Sequence, residues 1–122
     1  MRNDSFATDE KIREVLQPGT DYTAGGPVLY YRSGAYWKYT GEGNTTFLGV
    51  TGSGKSRRGT IPLTRSLIDA NESFVANDPK GEIYAATAPT LPEDYKVRVI
   101  DFRHIYQSPC CFNPLAAPAE LY

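Results

Sequence analysis

Residues 49–56 read GVTGSGKS, a complete G-x-x-x-x-G-K-[ST] phosphate-binding loop. This motif restricts the fold more than any other feature, because it requires a buried strand before the loop and a helix after it. Backbone N–H groups around Gly52, Ser53 and Gly54 are predicted to surround phosphate oxygens, and Lys55 is predicted to reach the β- and γ-phosphates. The sequence therefore predicts a site for a nucleoside triphosphate.

The remaining residues of the loop complete this predicted site. Gly49 and Thr51 belong to the same nucleotide-binding loop, and the hydroxyl of Ser56 is predicted to bind Mg²⁺. Glycine is required in such a loop because a side chain would keep the backbone away from the anion, and because other residues avoid the dihedral angles involved.

The segments on both sides of the loop fit this requirement. The run 45–50 is β-branched and apolar and follows a turn cluster at 41–44, which predicts a buried strand of a parallel sheet. Apolar residues recur at a helical period over 55–70, and Asn71 is predicted to end that helix. Pro62 cannot donate a backbone hydrogen bond, which predicts a kink or a tightened first stretch of helix.

Two further elements are predicted before the loop. Thr8 is placed to cap a short helix with acidic residues in its first turn, and Pro18-Gly19 is expected to end it. The runs 28–31 and 35–39 predict a β-hairpin. The hairpin is rich in aromatic and basic residues, which leaves open whether they pack across the strands or stack on single-stranded bases. These residues are Tyr30, Tyr31, Tyr36, Trp37 and Tyr39 with Arg32 and Lys38.

After the loop the pattern predicts strands at 73–78 and 96–102, with a turn at 79–82 and a short helix at 83–87 between them. Together with the segments around the loop, this order predicts an α/β fold with a parallel sheet. Ligands of such sheets bind at the carboxyl ends of the strands.

Two acidic residues stand at predicted strand ends. Asp78 begins the charged turn DPKGE and is predicted to contact the nucleotide. Asp101 is a second candidate for the metal site, although capping of a turn explains it at least as well. Neither is followed by the acidic partner that would orient an attacking water. The sequence therefore predicts nucleotide binding and leaves enzymatic activity undecided.

Composition adds limits on the kind of partner. The chain has 122 residues and a formal net charge of −1, so it implies no global attraction to nucleic acid or to an anionic membrane. Cys110 and Cys111 are adjacent, a spacing unsuited to an ordinary disulfide, and are interpreted as reduced cytosolic thiols. No apolar run reaches the length of a membrane span.

Several motifs in this order resemble the coupling proteins of type IV secretion, the TraG/TraD-like conjugative DNA-transfer ATPases. They are GVTGSGKS, a proline seven positions after the lysine, SFVANDPKGEIYAAT, KVRVIDF and CFNPL. The similarity covers 44–115, and the opening SFATDEKI resembles the segment that follows the membrane anchor in such proteins. The ordered pair of the phosphate loop and DPKGE is its most specific part.

The resemblance implies a P-loop NTPase (RecA-like) core with a parallel sheet, incomplete here and preceded by the hairpin. On this basis we divide the chain into an N-terminal helix and hairpin segment (1–44), a partial nucleotide-binding domain (45–115) and a tail (116–122). The implied cofactors are ATP and Mg²⁺. The implied partners are a DNA–relaxase substrate, secretion-channel subunits and further copies in a hexamer.

The resemblance also implies a location and a missing part. Full-length relatives are expected at the cytoplasmic face of the bacterial inner membrane, whereas this chain contains no membrane segment and is expected to be cytoplasmic. It also has no recognisable Walker B Asp-Glu pair, which predicts that it represents only the N-terminal part of a motor domain. Two alternatives remain: a non-enzymatic remnant that binds partner subunits, and an unrelated small P-loop enzyme.

Overall fold

The computed structural model describes residues 7–32 and 34–110. The predicted tail and the CFNPL motif lie outside these residues. The helices are α1 (Asp9–Val15), a π-helical turn (Ser56–Thr60), α2 (Ile61–Asp69) and α3 (Glu82–Thr87), with short 3₁₀ turns at Ala88–Thr90 and Ile105–Gln107. The strands are β1 (Gln17–Pro18), β2 (Val28–Arg32) and β3 (Ala35–Lys38).

The three strands form an antiparallel sheet in the order β1-β3-β2. The predicted hairpin is confirmed: β2 pairs with β3, with Tyr30 opposite Trp37, and an irregularity lies between Val28 and Tyr30. The short edge strand β1 was not predicted. Its Pro18 has no N–H to donate, and an edge position tolerates that loss.

Helix α1 packs beside one face of the hairpin. Thr8 occupies the capping position as predicted, but its side chain makes no capping hydrogen bond. Arg32 Nη1 donates to Asp9 at 2.8 Å, and the Arg13 guanidinium lies 6.0 Å from the centre of the Trp37 ring. Of the aromatic residues of the hairpin, Trp37 takes part in these contacts, whereas Tyr31 is 70% exposed, so the choice between packing and base stacking stays open.

The segment that leads into the hairpin is attached to the end of α2. The N–H of Gly26 donates to the buried Ser66 Oγ at 3.1 Å, and the N–H of Gly25 donates to Glu72 Oε1 at 2.6 Å. Lys38 is almost completely buried, and its ammonium group donates to the carbonyl of Ala24 at 2.5 Å. Because these bonds join the N-terminal segment to α2, the two predicted parts of the chain are in contact.

The helix after the loop is confirmed, with one difference at its start. The N–H of Ile61 donates to the carbonyl of Ser56, five residues earlier, so this stretch is widened and the predicted tightening is wrong. The physical reason is Pro62, which cannot donate the usual bond to Arg58. Asn71 ends the helix as predicted, with φ 54°. Its N–H donates to Ile68 and that of Glu72 to Leu67, the Schellman arrangement.

The three segments predicted as parallel strands are not paired into a sheet in the described residues. Their apolar side chains stay exposed: Leu48 by 90%, Val75 by 101% and Phe102 by 80%. Ile68 is the one buried hydrophobic residue in 7–32 and 34–110. A parallel strand is stable only when neighbouring strands and covering helices bury both faces, and these segments lack that cover here. The P-loop NTPase class therefore stays a prediction.

Candidate nucleotide-binding site

The phosphate loop contains two backbone positions that need glycine. Gly52 has φ 81° and Gly54 has φ 84°, a region that L side chains rarely adopt. The N–H of Ser53 donates to the carbonyl of Val50 at 3.2 Å, which closes a turn with Thr51 and Gly52 at its centre. The loop therefore contains a tight turn and two glycines in the left-handed region.

Lys55 folds back over its own loop. Its Nζ donates to the carbonyl of Gly49 at 2.5 Å and to that of Val50 at 2.8 Å. A side-chain carbon on Gly49 would overlap Ser53 Oγ, so Gly49 lies close to Ser53, although this hydroxyl can rotate aside. The ammonium group of Lys55 therefore lies at the loop. A phosphate would have to replace the carbonyls of Gly49 and Val50 as its hydrogen-bond acceptors.

Ser56 begins the π-helical turn and is half-buried. Its carbonyl accepts the bond from Ile61, whereas its hydroxyl makes no hydrogen bond with any other described residue. A hydroxyl next to a phosphate loop suits Mg²⁺, which binds oxygen ligands and usually takes some of them from the phosphates of a substrate. The donor set of Lys55, Ser56 and the loop N–H groups therefore fits Mg·ATP.

One residue that supports the loop was missed in the sequence. Gly59 is buried in the π-helical turn, and a side-chain carbon there would lie 2.8 Å from Cδ1 of Phe47. The Phe47 ring thus rests directly on the helix and ties the segment before the loop to the segment after it. The signal was present, since glycine within a helix is unfavourable and usually has a packing reason.

Asp78 takes part in a structural cap. Its Oδ2 accepts from the N–H of Tyr84 at 3.0 Å, and its carbonyl accepts from Gly81, which confirms the predicted turn before α3. Helix α3 is held beside α2 by Arg65, whose Nη2 donates to the carbonyl of Ala86 at 2.9 Å. None of the hydrogen bonds of Asp78 within the described residues goes to the phosphate loop, so its nucleotide contact stays a prediction.

Asp101 caps a turn, the explanation that the sequence favoured. Its Oδ1 accepts from the N–H of Arg103 at 2.8 Å, and its Oδ2 lies 3.1 Å from Nδ1 of His104. These hydrogen bonds hold the pKa of the Asp101 carboxyl below its ordinary value, and the bond from Arg103 has the largest effect. Arg103 Nη1 also donates to the carbonyl of Pro79 at 3.2 Å, so the turns at Asp78 and Asp101 are neighbours.

The Asp101 cap predicts a change in acid stability. Because the pKa of Asp101 is lower in the folded chain, its contribution to stability is present above the ordinary pKa of 3.8 and is lost as the pH falls through the folded pKa. We expect Asp101→Asn to reduce the loss of thermal stability below about pH 4, measured by circular dichroism from about pH 2 to 7. Asp94→Asn, at an exposed carboxylate, is the control. An acid dependence unchanged by Asp101→Asn would contradict the assignment.

Comparison with known proteins gives one match. A family model described as Type IV secretory system Conjugative DNA transfer matches residues 2–117. The matched range includes the phosphate loop and both acidic turns. Searches of curated proteins and of solved structures gave no match. Among the helices of the described residues, none has the length and apolar character needed to cross a membrane.

Proposed function

The chain belongs to the type IV secretory system conjugative DNA transfer family, and from this premise we propose that it forms the ATP-binding part of a coupling ATPase. Such an ATPase feeds a DNA–protein substrate to the secretion channel. The observation that carries the proposal is the loop itself, in which Gly52 and Gly54 adopt positive φ and Lys55 folds over the loop carbonyls.

In this proposal each part of the loop has one task. The N–H groups around Gly52 and Gly54 donate to phosphate oxygens, since neither glycine carries a side chain that would keep the anion away. Lys55 leaves the carbonyls of Gly49 and Val50 and neutralises phosphate charge. Ser56 would supply a hydroxyl to Mg²⁺. The bound cation would neutralise negative charge on the β- and γ-phosphates.

We propose binding of ATP without appreciable hydrolysis by the residues present. Hydrolysis needs a carboxylate that orients the attacking water. The two acids at the ends of predicted strands are engaged in turns: Asp78 accepts from Tyr84, and Asp101 accepts from Arg103 and contacts His104. The sequence contains no Asp-Glu pair at a predicted strand end to replace them.

The wider assembly follows the same proposal. The partners would be a DNA–relaxase substrate, channel subunits and further copies of the chain, at the cytoplasmic face of the inner membrane.

A second candidate function, a remnant that binds partner subunits, is favoured by the exposed apolar side chains of Leu48, Val75 and Phe102. Family membership does not support the third alternative, an unrelated P-loop enzyme.

Titration with a fluorescent ATP analogue, with Mg²⁺ and with a chelator, tests the proposed site. We expect saturable binding that Mg²⁺ strengthens, and we expect Ser56→Ala to weaken the Mg²⁺-dependent part by about ten-fold or more. Ser73→Ala, at an exposed serine outside the loop, is the control. Saturable binding that is indifferent to Mg²⁺ and to Ser56→Ala would contradict the metal site. Absence of binding, together with association between copies of the folded chain, would favour the subunit-binding remnant.

A further inference from the structure

Two arginines follow the phosphate loop at the start of the helix. Arg57 and Arg58 are both exposed, and neither forms an ion pair with another described residue. Positive charge in the first turn of a helix opposes the helix dipole and is unfavourable unless an anion lies nearby. The sequence alone does not distinguish the two residues, since both carry the same charge at adjacent positions.

The structure distinguishes the two arginines by the position of the Arg58 side chain relative to the phosphate loop. The side chain of Arg58 runs along the phosphate loop: its Cδ and Nε lie 3.6 and 3.7 Å from the place where a side-chain carbon of Gly54 would stand. The N–H of Arg58 also donates to the carbonyl of Gly54 at 2.8 Å, which fixes the base of the side chain beside the loop. Arg57 is one position earlier in the same π-helical turn, and neighbouring residues of a helix do not face the same side.

We propose that Arg58 is an additional phosphate-binding residue of this site and that Arg57 is not. The inference rests on the proposed function, because the anion is the polyphosphate of the bound nucleotide. Gly54 is a position where the missing side chain lets the anion approach the backbone. The Cδ and Nε atoms of Arg58 lie in van der Waals range of that position, and a guanidinium can donate two parallel hydrogen bonds to a phosphate.

Calorimetric titration of the whole chain with Mg·ATP tests the inference. Wild type is compared with Arg58→Ala, Arg58→Lys and the matched control Arg57→Ala, which removes the same charge one position away. We expect Arg58→Ala to weaken binding by about ten-fold or more, because it removes charge-assisted hydrogen bonds. Arg58→Lys should recover part of the loss, and Arg57→Ala should stay within about two-fold of wild type.

Thermal unfolding gives an independent readout. Without nucleotide, both alanine variants should be as stable as wild type or slightly more stable, since each removes an unfavourable charge from the helix start. With saturating Mg·ATP, only Arg58→Ala should show a reduced rise of the midpoint. This pattern separates a phosphate contact from a structural effect, which would lower the midpoint without nucleotide.

The outcomes separate this inference from the proposed function. Wild-type binding that Arg58→Ala leaves unchanged would overturn the role of Arg58 and leave the ATP site intact. Equal weakening by Arg57→Ala and Arg58→Ala would also overturn it, since it would indicate a general charge effect. Failure of the folded wild type to bind Mg·ATP would overturn both the inference and the proposed function.

Discussion

Replacing Lys55 by alanine is expected to abolish measurable binding of Mg·ATP, with a loss of affinity of about 100-fold or more. The size follows from the charge-assisted hydrogen bonds that an ammonium group donates to phosphate, each about twice as strong as a neutral one. In the structure this ammonium donates to the carbonyls of Gly49 and Val50. Equilibrium titration of the purified chain measures the effect.

The control for this prediction has to separate the lost ammonium group from lost side-chain packing. Lys55→Met keeps the apolar stem and most of the length of the side chain but removes the ammonium group, with its charge and its bonds to the carbonyls of Gly49 and Val50, so it should lose binding as completely as Lys55→Ala. Lys80→Ala removes one exposed lysine from the turn before α3 and should bind like wild type. Retention of wild-type affinity by a folded Lys55→Met variant would show that this loop does not hold phosphate as proposed.

Replacing Gly26 by alanine is expected to destabilise the fold by about 3 kcal/mol or more, at the upper end of overpacking effects. A side-chain carbon at Gly26 would overlap the main-chain carbonyl oxygen of Tyr39. The backbone cannot move away cheaply, because the N–H of Gly26 is bound to the buried Ser66 Oγ and Pro27 accepts from the N–H of Tyr39. Urea unfolding followed by circular dichroism measures the loss.

Gly41→Ala provides a closely matched control for Gly26→Ala. Its added carbon would meet the same residue, Tyr39, but at the far end of the phenol ring. A side-chain end can swing aside at lower cost than a main-chain carbonyl, so the effect should stay near 1 kcal/mol. Equal stability of Gly26→Ala and wild type would show that the backbone at Gly26 does not lie against the carbonyl of Tyr39 as described.

The sequence predicted best where a local rule determines the structure. The hairpin follows from its alternating aromatic runs, and the end of α2 follows from Asn71, which adopts positive φ more easily than most residues. The turn before α3 follows from the glycine of DPKGE, since Gly81 has φ 73°. Each depends on residues close together in the chain. The family assignment, which rested on ordered motifs, is confirmed by the match over residues 2–117.

The sequence predicted less where structure depends on distant partners. The apolar runs at 45–50, 73–78 and 96–102 have the composition of buried strands, but pairing and cover are tertiary properties that composition does not contain. The strand β1 was not predicted because two residues are too few to show an alternating pattern. The strand is defined by its pairing with β3. The difference between Arg57 and Arg58 also required coordinates, since only geometry places one of them along Gly54.

The central claim is that this chain holds Mg·ATP through its phosphate loop without turning it over. Calorimetric titration of the folded chain with Mg·ATP, with phosphate release followed in the same samples, tests this claim most directly. The account predicts saturable binding at one site per chain and no release of phosphate above the rate in buffer. Absence of binding by a folded chain, or steady release of phosphate, would contradict it.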